Sequence, residues 1–140
     1  MPFDDTMFLK MSVDIMSFFD PDQLRKVTPD IEHNEYTKGQ PVLFKGQITD
    51  GFYIIKKGKA TVFSKAKGGE ETIAELAAGD FFGEMSVLDD IASTASVRAA
   101  EDGTEILTIP SESFEKLLQM QPLLKKGLLD KIAERQKKKA

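Results

Sequence analysis

The stretch Gly79-Asp80-Phe81-Phe82-Gly83-Glu84-Met85-Ser86-Val87-Leu88-Asp89-Asp90-Ile91-Ala92-Ser93-Thr94-Ala95-Ser96-Val97-Arg98-Ala99 decides how this 140-residue chain is read. It opens as a short β-type run, breaks at Gly83 and resumes strand character after Thr94. A glycine at the break lets the backbone turn where a Cβ would clash. The spacing then predicts a short helix over Glu84-Met85-Ser86-Val87-Leu88. Its first amides lack intrahelical acceptors and sit at the positive end of the helix dipole, an arrangement that accepts an anion. Glu84 adds a carboxylate in the same turn, able to accept hydrogen bonds from two hydroxyls. An anion cradle beside a diol acceptor suits a ribose phosphate. A bare glycine turn followed by a helix start, with no ligand, is the alternative these residues leave open. A helix that interrupts a β-pattern is a local exception of the kind found at functional sites.

On either side, the β texture runs from Ile31 to about Ile109. Pro41 to Phe44, Gly51 to Ile55, Ala60 to Phe63 and Thr72 to Leu76 each have strand length, with glycine punctuation every eight to twelve residues or so, the rhythm of a barrel or sandwich. Lys67-Gly68-Gly69-Glu70 reads as a hairpin tip and Lys57-Gly58-Lys59 as a second tight turn, because glycine tolerates positive φ. Before this region, Thr6 to Phe19 carries apolar residues at helical spacing, with Phe8, Met11, Ile15, Phe18 and Phe19 on one face. Asp20-Pro21-Asp22 ends that segment, and Pro21 opens a short helical turn through Leu24. After Pro110 the helical period returns. Ser111, with Glu112 beside it, is the expected cap of a helix carrying Phe114, Leu117 and Leu118. Pro122 starts a last helix in which Leu124, Leu128 and Ile132 form a stripe that Leu123 and Leu129 widen. Lys137-Lys138-Lys139 reads as a solvated helix end that complements the dipole.

Composition excludes several classes. The chain has no cysteine, which removes disulfides and thiolate chemistry and suits a cytoplasmic location. Its net charge of -4 lacks the concentrated positive field of a nucleic-acid surface, so no direct nucleic-acid binding is expected. No apolar run approaches the roughly 20 residues of a membrane span. His33 is the lone histidine and reads as a surface or strand-end residue; metal sites recruit several ligands. Glu70-Glu71 and Asp89-Asp90 read as solvated loop charge. With no nucleophile elbow, phosphate loop or poised acid–base pair, no catalytic residue is assigned and the chain is not read as an enzyme.

The segment from Gly79 to Ala99 resembles the phosphate-binding cassette of cyclic-nucleotide-binding domains, found in catabolite-activator-type regulators, kinase regulatory subunits and gated channels. The resemblance extends through Gly46, Gly51-Phe52-Tyr53-Ile54-Ile55, Gly58 and Leu76 before the cassette and Thr94-Ala95-Ser96-Val97 after it. It implies a mainly β fold with α: a β-roll (double-stranded jelly roll) with an N-terminal helical segment, a short cassette helix and two C-terminal helices. A single domain over 1–140 is expected, divided as helical segment 1–30, β-roll 31–109 and C-terminal helices 111–138.

The resemblance also implies ligand-binding roles. Gly83 is the hinge, and Glu84 falls where the family binds a ribose hydroxyl. Met85 and Ser86 supply phosphate-binding amides, and Ser93, Thr94 and Ala95 line the exit. The family's phosphate-clamping arginine is replaced here by Ser93, a short neutral donor in place of a charged fork. Loss of one side of a desolvated charge pair costs about 2–5 kcal/mol, so cAMP or cGMP binding is expected to be weak. Arg98, five residues further along a strand, points to the opposite face and is expected to meet solvent or a structural acid. Lys65 and Lys67, on the hairpin, are the other cations that could swing in from outside in place of the arginine.

Two functions follow. One is a ligand sensor that signals through its C-terminal helices, with Leu124, Leu128 and Ile132 as the moving face. The other is a degenerate fold that uses the same face to dock an output domain or form a homodimer. A DNA-binding regulator would need a helix-turn-helix of roughly 60 residues after Ile132, and no such pattern follows in this sequence.

Overall fold

A computed structural model of the chain describes residues 5–49, 51–66, 68–83, 93 and 95–139. Expectations that fall on Glu84 to Ala92, on Thr94 and on Lys67 lie outside the described residues, the cassette helix among them.

The β region forms two antiparallel sheets. In chain order the strands are β1 (Glu32–Tyr36), β2 (Pro41–Leu43), β3 (Gly51–Lys57), β4 (Lys59–Ala66), β5 (Gly69–Ala77), β6 (Phe81–Phe82), β7 (Ser96–Ala99) and β8 (Thr104–Pro110). Sheet 1 has the order β1-β8-β3-β6 and sheet 2 the order β2-β7-β4-β5 among the described residues. This is the expected roll. β4 and β5 form a hairpin whose last pair is Ala66–Gly69. The turn at Gly58 does something else: β3 belongs to sheet 1 and β4 to sheet 2, so Gly58 is the corner where the chain changes sheets. Its φ of +87° and the Thr104 Cα only 2.8 Å from where a Cβ would stand leave room for glycine alone.

Strand β3 is apolar on both faces because sheet 1 is covered on both. Ile55, with Leu43, Leu76, Phe82, Val97 and Ile106, fills the space between the sheets. Phe52 and Ile54 face the other way, into a second core with Phe81, Leu107 and Ile109 and the helices. Those helices are α1 (Asp5–Ser12), α2 (Pro21–Leu24), α3 (Ser111–Met120) and α4 (Pro122–Lys139), with single 3-10 turns at Asp14–Met16 and Thr28–Asp30.

The structure corrects the N-terminal segment. The helix stops at Ser12 because Val13 is extended (φ -115°, ψ 106°), and the apolar phase restarts. Leu9, Val13, Ile15, Met16 and Phe19 are the buried residues, while Met11 and Phe18 are exposed. The break is held by Lys10, whose Nζ donates to the carbonyls of Ser17 (2.9 Å) and Phe19 (2.8 Å). Ser111 is not the cap of α3 either. Strand β8 runs straight into the helix, Pro110 takes the cap position, and Ser113 is the serine that bonds, donating to Asp30 Oδ2 at 3.1 Å. In α4, Leu124 and Leu128 are fully buried, but Leu123 and Leu129 face solvent and do not widen the buried stripe. No helix among the described residues is long and apolar enough to cross a membrane.

His33 is more than a surface residue. Its Nε2 lies 2.6 Å from Oδ2 of Asp5, a carboxylate only 5% exposed, and Lys56 Nζ reaches Asp5 Oδ1 at 3.3 Å. These contacts fasten the start of α1 to β1 and β3. Glu70 departs from the loop-charge reading too: both its oxygens lie 2.9 Å from Nη1 of Arg98.

Candidate functional site

Strand β6 leads into the site. Phe82 faces the interior between the sheets, where its ring stacks on Tyr53 at 4.9 Å and 6°. Gly83 follows at φ +81°, and a Cβ there would stand 2.6 Å from Tyr53 Cδ2. The hinge expected at Gly83 therefore has two causes: the left-handed backbone, and the aromatic ring pressed against it. The Thr49 hydroxyl, buried, lies 3.1 Å from the Gly51 carbonyl and 3.4 Å from the Gly83 carbonyl, tying the start of β3 to the end of β6.

The other described candidate positions lie where the chain enters β7. Ala95, Val97 and Ala99 are buried toward the interior, so alternation sends Ser96 and Arg98 to the outer face. Arg98 accordingly pairs with Glu70 and lies over the Phe63 ring, 4.3 Å from its centroid, as expected of a residue with a structural acid. Lys65 shares that outer groove with Arg98.

Ser93 is clamped by its backbone. Its carbonyl accepts from Gly46 N at 2.8 Å and its amide donates to the Gln47 carbonyl at 2.9 Å. Its hydroxyl donates to the Ala95 carbonyl at 2.6 Å. The loop 44–49 thus holds Ser93, and it is held again where the Lys45 amide donates to Ser96 Oγ at 2.9 Å. The sequence reading missed this loop. Its signals are a glutamine three residues after Phe44, whose Oε1 accepts the Phe44 amide at 3.1 Å, and a threonine two before Gly51.

Of the seven expected ligand-binding residues, Gly83, Ser93 and Ala95 are described, the latter two as neighbours on one strand entry. Glu84, Met85, Ser86 and Thr94 lie outside the described residues. From the signalling face, Leu124 and Leu128 sit in the core with Phe114 and Leu117. Phe114 continues a ring stack that starts beside the hinge: Phe81 stacks on Phe52 at 5.1 Å, and Phe52 on Phe114 at 4.4 Å.

A two-sheet antiparallel roll, a glycine turn at the end of its short strand β6 and helices packed over the outside of one sheet define a jelly-roll class of β domain. Residues 33–121 match the family described as the cyclic nucleotide-binding domain, and the chain belongs to that family. Over 101 residues it is 37% identical to the cyclic AMP receptor protein of Thermus thermophilus, covering 71% of this chain and 46% of that protein. Over 121 residues it is 34% identical to the cGMP-dependent protein kinase egl-4 of Caenorhabditis briggsae, covering 85% of this chain and 16% of the kinase. It also superimposes on the regulatory domain of Toxoplasma gondii PKA solved with cAMP, with a TM-score of 0.77 and 27% identity over 92% of this chain and 48% of the other. The chain thus spans less than half the length of these relatives.

Proposed function

We propose that residues 1–140 act as one regulatory domain, without catalytic activity and in the cytoplasm, that binds cAMP or cGMP weakly in the space bounded by Gly83 and the Ser93–Ala95 strand entry. The observation that carries this reading is the Gly83 hinge, at φ +81° against Tyr53, at the end of β6, where the sequence resemblance puts the approach to the cassette. In this reading Glu84 accepts from the ribose hydroxyl, the Met85 and Ser86 amides face the phosphate, and Thr94 stands at the pocket edge. Weakness follows from Ser93: it is neutral, and its hydroxyl already serves the Ala95 carbonyl.

Occupancy of the pocket would reach the C-terminal helices through the stack Phe81–Phe52–Phe114, which runs from the hinge strand to α3. A ligand moves such an element only by binding one arrangement better than the other. Titration of cAMP and of cGMP into the labelled protein tests the reading. Saturable amide shifts at Gly83 to Ser86, with accompanying shifts in α3, support it; the absence of any shift with either nucleotide at millimolar concentration overturns it.

The committed Ser93 hydroxyl also favours a second reading, in which the fold persists as a docking or dimerisation module without ligand. Leu124 and Leu128 are spent on the chain's own core, so a homodimer or output-domain contact made by α4 would rest on the exposed Leu123 and Leu129. Sedimentation that shows a monomer at high concentration removes the homodimer.

A further inference from the structure

The outer face of sheet 2 carries a groove of about 460 Å³ that lies across the sheet from the interior. Its size falls within the range of small-molecule sites. Lys45, Lys65 and Arg98 line it against a single carboxylate, Glu70, so the described lining has three cations to one anion, a net +2 on a chain whose total is -4. Arg98 is held in place: its guanidinium lies over Phe63, and Nη1 alone serves both oxygens of Glu70. Its Nε and Nη2 make no hydrogen bond to the described residues. Those two atoms form the side edge of the guanidinium, a fork that matches two oxygens of a phosphate or carboxylate. A guanidinium already ordered by a ring and an acid loses little freedom when it takes a ligand.

Apart from Ser96, the rest of the groove's lining is apolar. Phe63 forms part of its wall, Pro41 another part, and Phe44 stands 61% exposed at its side. A bare phosphate would leave most of this volume empty and these surfaces wet. We infer that the groove is a binding site for a small organic phosphate monoester, a dianion joined to a planar apolar ring. The dianion takes the side edge of Arg98 and the ammonium groups of Lys45 and Lys65, and the ring lies against Phe44 and Pro41. The charge of such a ligand matches the +2 of the lining. The site is separate from the proposed cyclic-nucleotide pocket, because Ser96 and Arg98 alternate with the inward-facing Val97 and Ala99 on β7.

The test is an NMR titration of the full chain with phenyl phosphate, inorganic phosphate and benzenesulfonate, following the Arg98 Nε–H signal and the amides of Lys45, Phe63 and Ser96. Phenyl phosphate is expected to saturate these signals at or below about 1 mM. Inorganic phosphate, lacking the ring, and benzenesulfonate, lacking the second charge, should each bind about tenfold more weakly or worse. The double variant K45Q/K65Q, which changes only exposed side chains, should lose about tenfold or more of the phenyl phosphate affinity with its spectrum otherwise intact. Shifts that fail to saturate, benzenesulfonate binding as well as phenyl phosphate, or shifts confined to Gly83 and Ser93, would each overturn the inference. Because the Arg98 Nε–H and Phe63 signals belong to sheet 2 while Gly83 follows β6 of sheet 1, failure here leaves the cyclic-nucleotide reading standing, and the reverse holds too.

Discussion

The Ser93 hydroxyl donates to the carbonyl of Ala95 at 2.6 Å, two residues along the same chain. The side chain at this position therefore caps its own backbone at the entry to β7. Gly46 and Gln47 hold the same residue by its carbonyl and amide, which gives position 93 a fixed backbone on which a longer side chain can be tried.

Ser93→Arg should strengthen cyclic-nucleotide binding. The local hydroxyl bond it removes is worth about 1 kcal/mol of stability. A charged fork facing a desolvated phosphate contributes about 2–5 kcal/mol, a gain of roughly thirty-fold to several-thousand-fold in affinity. Calorimetry with cAMP and cGMP on both proteins checks this, and equal affinities would show that the phosphate does not sit near residue 93.

Gly83→Ala and Gly39→Ala make a controlled pair. Both glycines have positive φ, +81° and +86°, but a Cβ at 39 meets open space whereas one at 83 meets the Tyr53 ring at 2.6 Å. The backbone cost is shared, about 1–2 kcal/mol each. Only Gly83→Ala must also displace a ring packed on Phe82. Urea unfolding should therefore show the larger drop in midpoint for Gly83→Ala.

Phe114→Ala should cost about 3–5 kcal/mol, because it empties a fully buried site against Phe52. Phe114→Leu keeps the volume better and should leave the domain folded. If the ring stack carries the signal, cyclic-nucleotide titration of Phe114→Leu will show shifts at Gly83 but diminished shifts in α3.

Asp5→Asn should loosen α1. The substitution removes the charge that faces His33 Nε2 at 2.6 Å and Lys56 Nζ at 3.3 Å. Asp5 is buried but both partners are partly exposed, so the expected loss is about 1–3 kcal/mol. Hydrogen exchange should speed up in Thr6 to Lys10 more than in β3 or β8, and a cycle with His33→Ala isolates the pair.

Tyr36 sets an alkaline limit. Burial disfavours its phenolate and raises its pKa above the ordinary 10.0. The unfolded chain loses that proton first, so stability is full below pH 10.0 and falls as pH rises towards the raised value. Tyr36→Phe should flatten that decline in a series of unfolding curves above the ordinary value.

Much of this protein was legible along the chain. The strand cores at 51–55, 60–63 and 72–76, the β4–β5 hairpin and the two C-terminal helices follow from periods of two and of 3.6 residues and from glycine and proline at their ends. So does the outward direction of Arg98, since alternation on a strand is a local rule. The N-terminal helix was less so. Its apolar spacing continued past Ser12, and only the extended Val13, with Lys10 holding the Ser17 and Phe19 carbonyls, shows where it stops.

Periodicity and turn chemistry, which act between near neighbours, were enough to locate the central strands, the two C-terminal helices and the glycine turn at position 83. Tertiary structure alone decided which sheet each strand joined, that Gly58 is a corner between sheets, that His33 meets a buried Asp5, and that loop 44–49 grips Ser93. Each of these depends on groups up to tens of residues apart being brought within hydrogen-bond distance, and no local rule carries that information. The same reason explains the outer groove: Lys45, Lys65, Glu70 and Arg98 share it only because β7 lies between β2 and β4.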